Sequence, residues 1–156
     1  NQWFASHMEH TAQAASTAGP AIEAVADAFV ATLLQDGKIV TCANGNANIL
    51  AQYFCTSLLN RYEQDRPALP AINLGADATT YSAICRDNRF TATFSRQVRA
   101  IGKPGDLLFV IVDYGHMHPE DQEIALNNLS PAEAAPLLLL IINALCGLID
   151  GKLFGG

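Results

Sequence analysis

The segment most suggestive of chemistry is a short loop of small residues between a β-branched stretch and a helical pattern. Its members are Asn44, Gly45, Asn46 and Ala47. Small residues at the start of a helix leave backbone N–H groups unpaired beside the positive end of the helix dipole, which suits a phosphate or another anion. The alternative is a tight turn that uses Gly45 for an unusual backbone angle. The loop is not a Walker motif, because no Gly-Lys-Ser/Thr follows it.

A polar stretch late in the chain is a second candidate site. His116 and His118 lie there near three carboxylates, Asp113, Glu120 and Asp121. Imidazole and carboxylate groups are common metal ligands. The alternative is a polar surface loop without fixed geometry. We favour that alternative and therefore predict no metal site.

A third candidate is the alternating charge run that follows the helical pattern ending near Tyr62. It comprises Arg61, Glu63, Asp65 and Arg66. Such runs are typical of a solvated surface, and the alternative is a docking surface. Arg61 and Glu63 are the residues we would assign to a partner contact.

The composition predicts one globular domain and limits its partners. The chain has 156 residues, of which 50% are hydrophobic and 15% charged, and about 150 residues make one domain. The net charge of −6 disfavours direct binding to nucleic acid. Four cysteines without CxxC spacing indicate reduced thiols in the cytoplasm. We expect no leader and no membrane span, since no purely apolar run is longer than the six residues of Leu137–Ile142 and a span needs about 20.

Alternating helices and strands must position these candidates. Hydrophobic spacing predicts helices over 3–17, 20–35, 49–62, 77–86, 89–101 and 130–153, and strands over 38–42, 70–74, 107–111 and 123–126. We expect Gly19-Pro20 to separate the first two helices. The order predicts an α/β domain with a parallel sheet covered on both faces. The last helix is apolar on all sides from Leu137 to Leu148, which favours a homo-oligomer built around it.

Three long stretches resemble the SIS (sugar isomerase) domain family, and within it the phosphoheptose isomerase branch. They span 38–45, 59–72 and 94–108, and shorter matches cover 51–54 and 145–150. The resemblance extends over nearly the whole chain. It implies a flavodoxin-like fold of three layers in which long N- and C-terminal helices form the core of a homotetramer. It also implies a sugar phosphate as the ligand of loop 44–47.

The same resemblance implies a catalytic site whose residues this sequence has lost. The isomerase branch takes zinc ligands and acid–base groups from a His, a Glu, a Gln and a second His, which fall on Tyr53, Ser57, Ala135 and Asn143. These four residue types do not make a zinc site, and Ser57 is a poor base for aldose–ketose isomerisation. We therefore expect no catalytic residues, no zinc and no other cofactor.

Three departures concern the sugar-phosphate pocket. In the first loop, a Gly and a Ser of the family are replaced by Asn46 and Ala47. An Asn-Asp pair of the family becomes Arg86-Asp87, so Asp87 alone remains as a sugar-binding candidate. The family's Ser/Thr-rich second loop, with the helix and strand after it, has no counterpart between Ile111 and Val112. Either a true deletion or a segment missing from the sequence explains this gap. We favour the missing segment, because a deletion would remove a strand and its covering helix from the single SIS domain expected over 1–156.

Ser57 and Asn143 are similar instead to a non-catalytic branch of the family, the DnaA initiator-associating protein. That likeness implies a tetrameric regulator of replication initiation with a degenerate sugar-phosphate pocket and DnaA as its partner. This is our main prediction, and under it the protein is more a regulator than an enzyme. The alternatives are a phosphoheptose isomerase acting on sedoheptulose 7-phosphate and a sugar-phosphate-binding regulator without turnover.

Overall fold

Helices pack on both faces of a small parallel sheet. The computed structural model describes residues 1–87, 90–111, 124 and 131–155. The elements in chain order are α1 (Gln2–Leu34), β1 (Ile39–Ala43), α2 (Ala47–Leu59), β2 (Ala71–Asn73), α3 (Ala78–Arg86), a 3₁₀ turn (Phe90–Ala92), α4 (Thr93–Ile101), β3 (Leu107–Ile111) and α5 (Pro131–Phe154). The strand order is β2-β1-β3, and both pairings are parallel. The predicted α/β class is therefore confirmed.

The central strand β1 is buried along its whole length and divides the core into two layers. Ile39 and Ala43 face a large apolar cluster built from α1, α2 and α5. Val40 and Cys42 face the opposite side, where Phe94 of α4 packs against them. Because side chains alternate along a strand, one five-residue segment supplies both layers. This is the arrangement expected of a parallel sheet with both faces covered.

Helix α1 is continuous, which corrects the prediction of two helices separated at Gly19-Pro20. Pro20 lies inside the helix. A proline there removes one backbone hydrogen bond and costs about 3 kcal/mol. The helix nevertheless continues, because the segment beyond the proline buries Val25, Ala26 and Phe29 in the core. Tertiary burial thus outweighs a local helix breaker.

The predicted strands at 38–42, 70–74 and 107–111 are confirmed to within two residues at each end. The helix predicted over 89–101 is a 3₁₀ turn followed by α4. The strand predicted over 123–126 lies outside the described residues except for Ile124, which is in neither a helix nor a strand.

In the part of the chain that the structure describes, two helices are long and apolar enough to cross a membrane when only length and composition are considered. They are Gln2–Leu34 and Ala132–Phe154. The core helix of a globular domain meets the same criteria. Within α5, Leu145, Cys146 and Ile149 are fully buried against the rest of the domain, so this helix packs as a core helix here.

A buried ion pair joins the segment after α2 to α5. Arg66, which the alternating charge pattern assigned to a solvated surface, is only 9% exposed, and Asp150 is 4% exposed. The Arg66 Nε donates to Asp150 Oδ1 at 2.8 Å. Its two terminal nitrogens donate to the carbonyl oxygens of Ser57 at 2.7 Å and Leu58 at 2.8 Å. The guanidinium therefore binds the last carbonyls of α2, which a helix leaves unpaired, and fixes them relative to α5.

We expect Arg66→Met to lower the free energy of unfolding by about 3–5 kcal/mol, because it leaves Asp150 charged and buried without a partner. Urea denaturation of the purified protein measures this change. The double variant Arg66→Met/Asp150→Leu should recover part of the loss. Lys152→Met is the control, since Lys152 pairs with Glu23 and Asp27 at the surface and such pairs contribute little. Equal effects of Arg66→Met and Lys152→Met would show that the buried pair contributes no more than a surface pair.

A second ion pair closes the turn before β3. Asp106 accepts hydrogen bonds from the Lys38 side chain, from the Lys38 backbone N–H at 3.0 Å and from the Lys103 N–H at 2.7 Å. The Lys38 side-chain hydrogen bond is the largest of the causes that lower the pKa of Asp106 to about 2. An unfolded Asp has a pKa of about 3.9. The ionised carboxylate therefore stabilises the fold above about pH 4, and this contribution is lost as the pH falls toward about 2.

Thermal melts between about pH 5 and pH 2 should accordingly show a steeper loss of stability for the wild type than for Asp106→Asn. Asp36→Asn is the matched control, since Asp36 is an exposed carboxylate at the end of α1. Parallel pH profiles for the wild type and Asp106→Asn would show that this carboxylate does not govern acid stability.

Candidate functional site

The predicted anion loop lies at the carboxyl edge of the sheet, between β1 and α2. Gly45 has a φ of 55°, in the left-handed region that glycine adopts without strain. The Asn46 side chain makes no capping hydrogen bond to the helix. A Cβ at Gly45 would meet nothing within 4 Å, so the loop is open to solvent. Ala47 is buried, and the N–H groups of Asn48 and Ile49 donate to the loop carbonyls of Gly45 and Asn46. The turn and the anion interpretations are still compatible, because 44–46, just before α2, are exposed.

An amide cluster that the sequence patterns did not predict braces this edge from one side. Its members are Asn48, Gln52 and Asn73. The Asn73 Nδ2 donates to Asn48 Oδ1 at 3.0 Å and to Gln52 Oε1 at 3.1 Å, and Asn73 Oδ1 accepts from the Gly75 N–H at 3.0 Å. Asn48 in turn donates to the Gly75 carbonyl at 3.2 Å. The cluster therefore fixes the turn after β2 against the first two turns of α2.

The opposite side of α2 brings together three of the four positions expected to have lost catalytic groups. Tyr53 donates its hydroxyl proton to Asn143 Oδ1 of α5 at 2.8 Å. Ser57 is buried and donates to the Tyr53 carbonyl oxygen at 3.0 Å. Ala135 is exposed on α5, eight residues before Asn143, which is about 12 Å along the helix axis.

A buried thiol lies beneath this group. Burial raises the pKa of Cys146 to about 12, and a hydrogen bond with Ser57 opposes that rise. A buried thiol with so high a pKa stays protonated at neutral pH and is a poor nucleophile. Cys146 therefore contributes packing rather than chemistry.

Zinc does not fit this arrangement. Tyr53 and Ser57 offer neutral hydroxyl groups and Asn143 offers a neutral amide, whereas zinc sites in proteins are built from His, Cys and carboxylate donors. Within residues 1–87, 90–111, 124 and 131–155, no group of three His, Cys, Asp or Glu side chains could hold a metal ion. The site as built offers neutral hydrogen-bonding groups.

The remaining candidates lie apart from this group or outside the described residues. Asp87 is exposed at the end of α3, and it is Tyr81 of that helix that contacts the loop, donating to Asn44 Oδ1 at 3.3 Å. Arg61 and Glu63 are exposed just beyond α2. The candidate metal group of the polar stretch falls outside the described residues: His116, His118, Asp113, Glu120 and Asp121.

The comparisons with known proteins agree on one family. A family model described as SIS domain matches residues 2–118. A phosphoheptose isomerase of Methylococcus capsulatus is 35% identical over 184 residues, covering 97% of this chain and 94% of the relative. One of Chromohalobacter salexigens is 33% identical, covering 97% and 93%. The solved structure of a phosphoheptose isomerase from Francisella tularensis matches with a TM-score of 0.88 at 29% identity, covering 97% of this chain and 96% of that chain.

We expect Asn73→Leu to destabilise the protein by about 1–3 kcal/mol, because it leaves the Asn48 and Gln52 oxygens and the Gly75 N–H without partners. Chemical denaturation measures the loss. Asn46→Ala serves as the control, since it removes an exposed amide that makes no capping bond. If the two variants are equally stable, the amide cluster does not brace the loop.

Proposed function

Because the chain belongs to the SIS domain family, we propose that it is a phosphoheptose isomerase-like protein that binds a sugar phosphate at the loop between β1 and α2. The observation that carries this proposal is the loop itself. It joins a left-handed Gly45 to the start of α2 at the carboxyl edge of a parallel sheet. Ligands of parallel α/β sheets bind at that edge, and anions bind at helix N-termini.

The relatives support a phosphorylated seven-carbon sugar as the ligand. The two curated proteins and the solved structure described above all carry the name phosphoheptose isomerase. None of these three is named as a regulator of replication. The isomerase-like alternative is therefore better supported than the main sequence-based prediction of a DnaA-associating protein.

In our proposal the chain keeps the ligand binding of its relatives and has lost zinc-dependent turnover. Isomerisation of an aldose to a ketose needs a positioned base to move a proton. The groups that meet at the site are the phenol of Tyr53, the buried hydroxyl of Ser57 and the amide of Asn143, and none of them is a base near neutral pH. The second candidate is an active phosphoheptose isomerase, which the 35% identity over 97% of the chain favours.

The proposal also covers the oligomeric state of the protein, its location and a partner contact. Exposed apolar side chains on α1 and α5, among them Trp3, Met8 and Leu140, support a homo-oligomer, which the family resemblance implies is a tetramer. Four free cysteines support a cytoplasmic location. A DnaA contact through Arg61 and Glu63 rests on the family resemblance and on their exposure.

Isothermal titration with sedoheptulose 7-phosphate tests the binding site. We expect the wild type to bind and Gly45→Val to bind at least about tenfold more weakly, because a β-branched residue is strained at positive φ and distorts the loop. Gly105→Val is the matched control. Gly105 also has a positive φ, 92°, with nothing within 4 Å of an added Cβ, but it lies in the turn before β3. If Gly45→Val and Gly105→Val bind the sugar phosphate with equal affinity, the loop between β1 and α2 is not part of the binding site.

Turnover is measured on the same protein by following heptose phosphate isomerisation with and without added zinc. We expect no turnover in either condition. Zinc-dependent turnover would support the second candidate, the active isomerase. Failure of the wild type to bind the sugar phosphate would overturn the proposed function itself.

A further inference from the structure

The hydrogen bond between Tyr53 and Asn143 spans the gap between α2 and α5. The two residues are 90 positions apart in the chain, and the Tyr53 hydroxyl lies 2.8 Å from Asn143 Oδ1. Both side chains are partly open to solvent, and Tyr53 is 39% exposed. We call them the Tyr53–Asn143 pair. A polar contact between partly exposed side chains can reach a ligand as well as its partner.

The pair retains free hydrogen-bonding capacity. Tyr53 uses its only proton on Asn143, so its oxygen lone pairs remain as acceptors. Asn143 accepts through Oδ1, and in the described part of the chain no hydrogen bond occupies its Nδ2 protons. The pair therefore offers two donors and several acceptors, all uncharged. A sugar hydroxyl, which both donates and accepts, matches this set, whereas a metal cation would meet no anionic ligand.

The position of the pair relative to the loop suits a ligand with two chemically different ends. Tyr53 lies six residues beyond Ala47, where α2 begins, which is about 9 Å along the helix axis. Side chains on a helix tilt toward its N-terminus, which is the end of α2 that adjoins the loop. Inorganic phosphate at the loop is too small to span this distance, but a phosphorylated sugar extends along it.

Hydrogen bonds from Ser57 and Arg66 also fix the backbone that carries the Tyr53–Asn143 pair. Ser57 is buried and donates to the Tyr53 carbonyl oxygen at 3.0 Å, and Arg66 binds the Ser57 carbonyl at 2.7 Å. Asn143 lies on α5, which the Arg66–Asp150 ion pair fixes relative to the end of α2. A preorganised pair loses little side-chain entropy when a ligand binds, and this favours affinity.

We propose that the Tyr53–Asn143 pair determines specificity by binding the hydroxyl groups of the sugar without a metal ion. This inference rests on the proposed sugar-phosphate binding at the loop. The pair replaces a metal centre by neutral hydrogen bonding, so recognition of the sugar is uncoupled from zinc.

Titration of three probes against matched variants tests the proposal. The probes are sedoheptulose 7-phosphate, inorganic phosphate and zinc chloride. We expect Tyr53→Phe and Asn143→Ala each to weaken sugar-phosphate binding roughly 3- to 10-fold, the range that corresponds to one hydrogen bond. Inorganic phosphate, which reaches only the loop, should bind all variants alike. Zinc should neither bind the wild type nor change its affinity for the sugar phosphate.

Tyr62→Phe is the control for loss of a phenol near α5. Tyr62 lies against Gly147 of the same helix, 3.9 Å from the position of an added Cβ, and its loss of a hydroxyl should leave both affinities unchanged. Thermal melts of every variant establish that it is folded. The double variant Tyr53→Phe/Asn143→Ala should lose no more affinity than Asn143→Ala alone, since the two side chains act as a unit.

The outcomes separate this inference from the function on which it rests. Sugar-phosphate affinity that is unchanged in Tyr53→Phe and Asn143→Ala overturns the inference and leaves the loop site intact. Zinc binding to the wild type that disappears in Tyr53→Phe overturns the metal-free role of the pair. A wild type that binds no sugar phosphate overturns the proposed function and this inference together.

Discussion

The geometry of the site depends on how the buried Arg66 fixes α2 relative to α5. Neither helix supplies a complete site, because Tyr53 belongs to α2 and Asn143 to α5. Arg66 binds the last carbonyls of α2 and also the Asp150 carboxylate of α5, so one guanidinium sets the spacing of both helices. Its planar fork of donors can satisfy several acceptors at once. The Phe154 ring beside the guanidinium adds a cation–π contact near the end of α5.

Aromatic packing beneath the site explains why this spacing is well defined. Phe29 of α1, Phe54 of α2 and Phe109 of β3 meet with ring centroids 5.2–5.3 Å apart. Phe54 follows Tyr53 directly in α2, so the residue that anchors the helix in the core neighbours a residue that is 39% exposed. Displacing the helix would therefore break aromatic contacts worth about 0.5–1.5 kcal/mol per pair beyond their buried area. The packing of Phe54 in the core therefore limits how far the neighbouring Tyr53 can move.

Local patterns predicted the frame of the fold but not the contacts that build the site. The strands around Val40 and Val110 were recognisable because each apolar run is short, contains β-branched residues and follows a turn with Gly. The continuity of α1 through Pro20 was missed, since local propensity favours a break and only burial of Phe29 against distant elements overrides it. Arg66 was misassigned for a similar reason. Its partner Asp150 is 84 residues away, and spacing within a charge run carries no information about such a partner.

In the candidate site, too, local features were predictable from the sequence and contacts between distant residues were not. The loop at Gly45 was predictable because strand, glycine and helix follow one another in the chain. The amide cluster was not, since Asn73 joins Asn48 and Gln52 across 25 and 21 residues and a lone Asn carries no distinguishing signal. A cue existed in the i, i+4 spacing of Asn48 and Gln52, which places two amides on one face of α2.

The length of the relatives bears on how binding and chemistry are divided in this chain. The alignment with the Methylococcus capsulatus protein spans 184 residues, whereas this chain has 156, so the relative carries at least 28 residues without a counterpart here. The prediction that this gap follows Ile111 stays a prediction. In our proposal, a chain that keeps the loop at Gly45 but has neutral side chains at positions 53, 57 and 143 separates binding from chemistry, because the phosphate contact proposed at the loop and the sugar contact proposed at Tyr53 lie on different turns of α2. Loss of the proton-transferring groups would then reduce turnover without removing the charge contribution to affinity, which resides at the start of the helix.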